Sequence, residues 1–176
     1  MENTLPMILE TTRLRLRAMN ESDLDFLASM LGDPEVMRYY PKPLDREEAS
    51  AWYQRVLACY AKAGYGFWMV EKKDSGLRVA QIGLLPKEID GQQEVEVAYM
   101  VHRPFWRQGI ATEAASACRD HALDVLKVPR VICMIRPMNT PSLHVAAKLG
   151  MRRIGETKHQ GFAHDLYGYS RSPLRG

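Results

Sequence analysis

The sequence is poor in the features that mark whole classes of proteins. Only three cysteines, Cys59, Cys118 and Cys133, occur in 176 residues, an odd number with no Cys-x-x-Cys pair. That argues against a disulfide framework and against a zinc cage. Cys59 and Cys118 fall in helical patterns and Cys133 in an apolar strand pattern, so all three read as packing residues and no metal site is expected. No apolar run approaches the ~18 residues of a membrane span, and the N-terminus lacks the basic segment and long apolar core of a secretion signal. The cytoplasm is therefore the expected compartment, with no membrane partner. The net charge is only +3 and no run of five Lys or Arg occurs, which argues against a nucleic-acid partner but is compatible with an anionic ligand. Repeats, low-complexity tracts and linkers are absent too, so residues 1–176 read as one domain, large enough to be stable without disulfides or metal. With 46% hydrophobic and 26% charged residues, the composition is that of an ordinary globular protein.

The most informative stretch that is present runs from Glu94 to Leu123. Residues 94 to 101 alternate polar and apolar and are rich in β-branched side chains, the period of a strand. From Ile110 the period changes to Ile110, Ala114, Ala117, His121 and Val125, one face of a helix. Between them Pro104 cannot continue a ladder, and Gly109 accepts backbone angles that a Cβ disfavours. The first N–H groups of such a helix point unpaired out of its end, where the helix dipole favours an anion. His102, Arg103 and Arg107 add cations around the turn and suit a polyphosphate.

Along the rest of the chain, Thr12 to Ala18 alternates as a half-buried strand. Residues 21 to 31 form a helix with Leu24, Leu27 and Leu31 on one side, ended by Gly32-Asp33-Pro34. Asp45 and Glu48 make a capping box before a helix whose apolar face is Ala49, Trp52, Tyr53, Val56, Leu57 and Tyr60. Strands follow at 67–71 and 79–85, joined by a turn at Lys73 to Gly76. After a polar turn at Asp90-Gly91-Gln92 comes the strand 94–101. Arg130 to Ile135 suits a buried central strand. Asn139 or Thr140 caps a helix with Pro141 in its first turn, with Leu143, Ala146, Ala147 and Leu149 on its apolar face and Gly150 as a left-handed end. Strands near 152–158 and 165–171 close the chain. The order β-α-α-β-β-β-α-β-α-β-β gives a mixed sheet with helices on both faces, an α/β (α+β) class.

This order, with Trp106-Arg107-Gln108-Gly109-Ile110-Ala111, resembles the GNAT superfamily of acetyl-CoA-dependent N-acetyltransferases over residues 8 to 171. That superfamily carries [Gln/Arg]-x-x-Gly-x-[Gly/Ala] between strand and helix. Here the Gly and Ala positions match and Trp106 departs from the first. Trp106 with Ala111-Thr112-Glu113-Ala114 resembles the subfamily that includes the ribosomal-protein N-terminal acetyltransferases. So do the opening strand Leu9 to Arg17, the pair Asn139 and Ser142, and Lys148-Leu149-Gly150-Met151. The resemblance implies a GNAT fold: a mostly antiparallel sheet of about six to seven strands, splayed at its central strands, with helices on both faces. It also implies acetyl-CoA as co-substrate and an amine acceptor.

On that reading the N–H groups of Arg107, Gln108, Gly109, Ile110, Ala111 and Thr112 cradle the pyrophosphate. The pantetheine arm pairs with backbone at Met100 and Val101, as an added strand would, with Asn139 as a further contact. The Val101 N–H is the candidate donor to the thioester oxygen. Glu96 is the candidate base, directly or through water, with Glu94 on the same side of the strand as its rival. Many members of the superfamily carry a Tyr in the second helix for the departing thiolate. None lies in residues 139 to 149, so Ser142 or a water takes that place. Helix capping is the alternative role of Asn139 and Ser142, and packing that of Tyr99, Tyr167 and Tyr169. Tyr39-Tyr40-Pro41-Lys42-Pro43 is a stiff aromatic loop suited to one wall of an acceptor groove. The acceptor is a primary amine, either a protein N-terminus or a small molecule such as a polyamine, amino acid or antibiotic. The competing class is a non-catalytic acyl-CoA sensor, over which Glu96 beside the thioester favours catalysis; a monomer and a homodimer are both compatible with these residues.

Overall fold

A computed structural model describes residues 7–172. Eight strands form one sheet in the order β1-β2-β3-β4-β5-β6-β8-β7, antiparallel except between β5 and β6. The strands are β1 (Met7–Glu10), β2 (Leu14–Arg17), β3 (Phe67–Lys72), β4 (Arg78–Ile89), β5 (Gln92–Val101), β6 (Val131–Ile135), β7 (Arg152–His159) and β8 (Phe162–Tyr169). The helices are α1 (Leu24–Leu31), α2 (Arg46–Ala63), α3 (Ile110–Asp124) and α4 (Thr140–Lys148). The eighth strand, one more than expected, is β1, a short edge strand folded back on β2. Residues 21–23 form a 3₁₀ turn rather than the start of the first helix, because Asn20 caps the turn through Ser22 N–H.

Strand alternation divides the core in two. Phe67 and Met69 of β3, with Ala98 and Met100 of β5, face α1 and α2. Trp68 and Val70, with Val95, Val97, Val131 and Cys133, face α3 and α4. The capping box at Asp45 and Glu48 forms as expected, and α2 buries Ala49, Tyr53 and Val56. On α3 the buried stripe is Ile110, Ala114, Ala115, Cys118 and Ala122, rotated from the expected one. Val125 lies beyond the helix end and is exposed, and His121 sits at the rim, edge-on to Trp68. Small alanines let α3 lie close on β4 and β5, so packing rather than side-chain bulk selects the face. Ala147 of α4 is likewise exposed, while Ala146 and Leu149 are buried.

β4 runs four residues beyond its expected end, through Pro86, and pairs one-to-one with β5 from Ala80–Val101 to Ile89–Gln92. Proline is tolerated there because β3 has already ended: the last β3 pair is Phe67 with Gly83, so the missing N–H faces no partner strand. The hairpin closes at Asp90 and Gly91, both with positive φ, the two-residue turn that matches strand twist. Gln160 and Gly161 close β7 to β8 in the same way, which starts β8 three residues earlier than expected. Among the described residues no helix is long and apolar enough to cross a membrane.

Candidate active site

The sheet opens where β5 leaves β6. These strands share a single bridge, Glu96 with Ile132. Beyond it Val97 C=O accepts the Cys133 thiol at 3.1 Å, and Met134 N–H turns to the Glu96 carboxylate at 3.4 Å. Side chains thus take the place of the next rungs, and the strands diverge toward Val101. His102 N–H donates to Val79 C=O at 2.9 Å. With the register continuous, this makes Met100 with Gln81 and Ala98 with Gly83 the mutually bonded pairs. Tyr99 and Val101 therefore turn their backbone groups away from β4, into the gap. Val101 C=O receives the Trp106 indole N–H at 2.7 Å. Met100 does not fit the role expected of it: its backbone belongs to the β4 ladder and its side chain to the α1–α2 core. Tyr99 takes its place at the open edge.

At the end of that gap lies the glycine turn. Arg107 and Gly109 have φ of 61° and 76°, with Gln108 between them. Alternation of this kind turns successive N–H groups toward one side, a concave anion-binding shape. Among the described residues none of the N–H groups from Arg107 to Thr112 donates to a protein acceptor; the first that does is Glu113, to Gly109 C=O at 3.0 Å. The turn is braced from outside. Arg13 donates to Gln108 C=O at 2.9 Å and to the Glu113 carboxylate at 2.7 Å, and Glu113 also accepts from Thr11. A side chain at Gly109 would add left-handed strain and place its Cβ 3.3 Å from Arg13 Nη2.

On the α1–α2 face of the gap, a cleft of about 800 Å³ is floored by β5, β6 and β8. Tyr39 to Lys42, the loop expected to form a wall, lines it, together with Trp52 and Arg55 of α2 and the β7–β8 turn. Glu96 lies at its base, 8% exposed. Burial pushes its carboxyl above the ordinary range, against the pull of Lys87 Nζ at 3.3 Å and the Met134 N–H. A carboxylate held so is a better proton acceptor than a solvated one. Glu94, its rival in the sequence, does not line this cleft. Its carboxylate is clasped by Arg130, with Nε 3.0 Å from one oxygen, and it lines a different cleft near β7.

The profile of the acetyltransferase (GNAT) domain matches residues 13–152. An uncharacterized protein YkkB of Bacillus subtilis (strain 168) is 35% identical over 144 residues, 81% of this chain and 84% of that one. This chain belongs to the GNAT acetyltransferase family. An acetyltransferase structure from Agrobacterium tumefaciens str. C58 superposes with a TM-score of 0.82 at 23% identity, covering 97% of this chain and 98% of that one. Mycobacterium smegmatis RimJ, in complex with a CoA-disulfide, superposes at 0.71 with 20% identity over 90% and 82%.

Asn139 and Ser142 of this GNAT enzyme both line the cleft. Asn139 caps α4 by accepting Ser142 N–H at 3.2 Å, which leaves its amide NH₂ free to donate. Ser142 C=O accepts the Tyr99 hydroxyl at 2.8 Å. That bond ties β5 to the start of α4, a link invisible in sequence because the residues lie 43 apart. Cys118 and Cys133 are buried, and burial raises both thiols above their ordinary range. Among the described residues no cluster of His, Cys, Asp and Glu could hold a metal. Lys87, Arg136, His159 and His164 also line the cleft without having been singled out in sequence. Strand parity alone could have nominated Arg136, two residues past Met134.

Proposed function

We propose that this GNAT enzyme moves the acetyl group of acetyl-CoA to a primary amine, by direct attack within a ternary complex. One observation carries the reading: six N–H groups without protein acceptors, from Arg107 to Thr112, stand at the N-terminus of α3, at the end of a gap edged by unladdered backbone. Such an array suits a diphosphate. The pantetheine arm then lies along β5, pairing with Tyr99 and Val101, with the Asn139 amide as a further donor. Val101 N–H stabilises the oxygen of the tetrahedral intermediate as the thioester carbonyl is attacked.

Glu96 takes a proton from the attacking amine on the opposite face of the strand, directly or through a water. An alkyl ammonium has a pKa near 10.4 and an α-amine one of roughly 7.7 to 8.0, so the benefit of a base is larger for the former. Ser142 offers its hydroxyl as a hydrogen bond to the departing thiolate, which takes a proton from solvent water and leaves as CoA–SH, while Glu96 returns the amine's proton to solvent. Assay of CoA release on peptides with free N-termini and on a panel of small amines tests the reading. Glu96→Gln is expected to slow transfer at least tenfold at neutral pH while CoA affinity is retained. A protein that binds acetyl-CoA but acetylates nothing in either panel is a sensor instead.

A further inference from the structure

The acceptor cleft is poor in negative charge. Lys42, Arg55, Lys87 and Arg136 line it, and Glu96 is the only carboxylate among its described lining residues. Lys42 is bonded to Glu48 and Lys87 to Glu96. Arg55 lies 5.7 Å from the Trp52 ring centroid and has no carboxylate partner among the described residues. Arg136 is the more telling group. Its guanidinium sits over the Phe162 ring, 4.3 Å from the centroid, and its Nε is buried with no hydrogen-bond acceptor among the described residues. A buried guanidinium N–H without an acceptor is costly to hold, and an incoming anion removes that cost.

Arg136 also lies where a substrate would need it. Cys133 and Ile135 point into the core beneath α3, so Met134 and Arg136 point to the opposite face, that of Glu96. The Met134 N–H meets the Glu96 carboxylate, and Arg136 follows just past the end of β6, so both groups line the same cleft.

We propose that the acceptor is a primary amine that carries a carboxylate, its amine directed to Glu96 and its carboxylate to the Arg136 guanidinium. This rests on the transfer reading above. Glu96 serves the reacting amine, and among the described lining residues no second carboxylate is present to hold another ammonium. A polyamine would bring its second cation against Arg136 and Arg55. The carboxylate can belong to a free amino acid or to an acidic residue at the start of a protein, and the two sources share this chemistry.

The test uses matched acceptors: phenylalanine against phenethylamine, and peptides beginning with Asp against the same peptides beginning with Asn, with spermidine as the polycation. CoA release gives kcat/KM, and calorimetry on the CoA-bound protein gives acceptor binding without turnover. Within at least one pair the carboxylated member is expected to be favoured at least tenfold in both readouts, with spermidine poorest. Arg136→Gln should reduce that ratio at least fivefold, mostly through KM, and Arg136→Lys should restore part of it. The pair that shows the preference identifies the source. Equal or better use of phenethylamine, the Asn peptide and spermidine overturns the inference, as does an Arg136→Gln loss shared equally by both members of a pair. If no amine is turned over, the transfer reading fails and calorimetry alone decides: a carboxylate preference in the unaltered protein upholds the inference, and its absence overturns it.

Discussion

At Glu96 burial and charge pull the carboxyl in opposite directions. Burial raises its pKa and is the largest influence, while Lys87, the Met134 N–H and the charge of His164 lower it. Because the carboxylate is the active form of a base, transfer falls as pH drops through that raised value. The acid limb of kcat/KM is therefore expected above the usual carboxylate range, and to disappear in Glu96→Gln. Lys87→Met removes the nearest cation and should move the limb to still higher pH. A limb that stays in place in both variants would assign it to another group. Sequence parity alone left Glu94 and Glu96 equivalent, both facing the same side. What separates them is the partner of each, Arg130 for one and a cleft for the other, and partners 36 residues away in sequence have no local signal.

At the level of elements, β3 and β4 approach closely at Gly83. A Cβ there would stand 2.1 Å from Gly66 C=O, a backbone atom that cannot swing aside. Gly83→Ala is expected to destabilise the protein by about 1–3 kcal/mol through overpacking, measured by urea unfolding. An unchanged midpoint would mean that the strands part easily. Strand and helix identities were legible wherever a period of two or 3.6 ran unbroken: β5, α2 and β6 all fall where their patterns place them. The α3 face was not legible, because Ala114, Ala115, Ala117 and Ala122 are alike in sequence and only contact with the sheet decides which are buried. The extra length of β4 was hidden by Pro86, whose tolerance depends on where another strand stops.

The molecule as a whole is tied together at Asp23. It is fully buried, takes two hydrogen bonds from Arg17 of β2 at 2.8 Å each, one from Arg78 of β4 at 2.6 Å, and one from Asn20 N–H. Burial alone would raise its carboxyl, but Arg17, the Asn20 N–H and Arg78 together hold it below the ordinary range. A folded pKa below the unfolded one means stability that is present above the unfolded value, ~3.9, and is lost as pH falls through the folded value. Asp23→Asn is thus expected to cost about 3–5 kcal/mol at neutral pH, and less in acid, by thermal unfolding across pH. The glycine turn before α3 was legible, since a helix N-terminus announces itself locally, but of the cations expected around it Arg103 pairs with Asp33 at 2.9 Å and His102 packs edge-on to Phe26. Of the acceptor end only the loop near residue 40 was legible, because the other walls, Trp52 and Arg55 of α2 and the β7–β8 turn, meet it only in the folded chain. The central claim is that the amides from Arg107 to Thr112 receive the diphosphate of the coenzyme. Titration of the ¹⁵N-labelled protein with CoA tests it most directly. The account predicts that these six amides and Val101 shift together, saturating at one affinity, and that Gly109→Val weakens that affinity at least tenfold. CoA binding that leaves the six amides unmoved would contradict it.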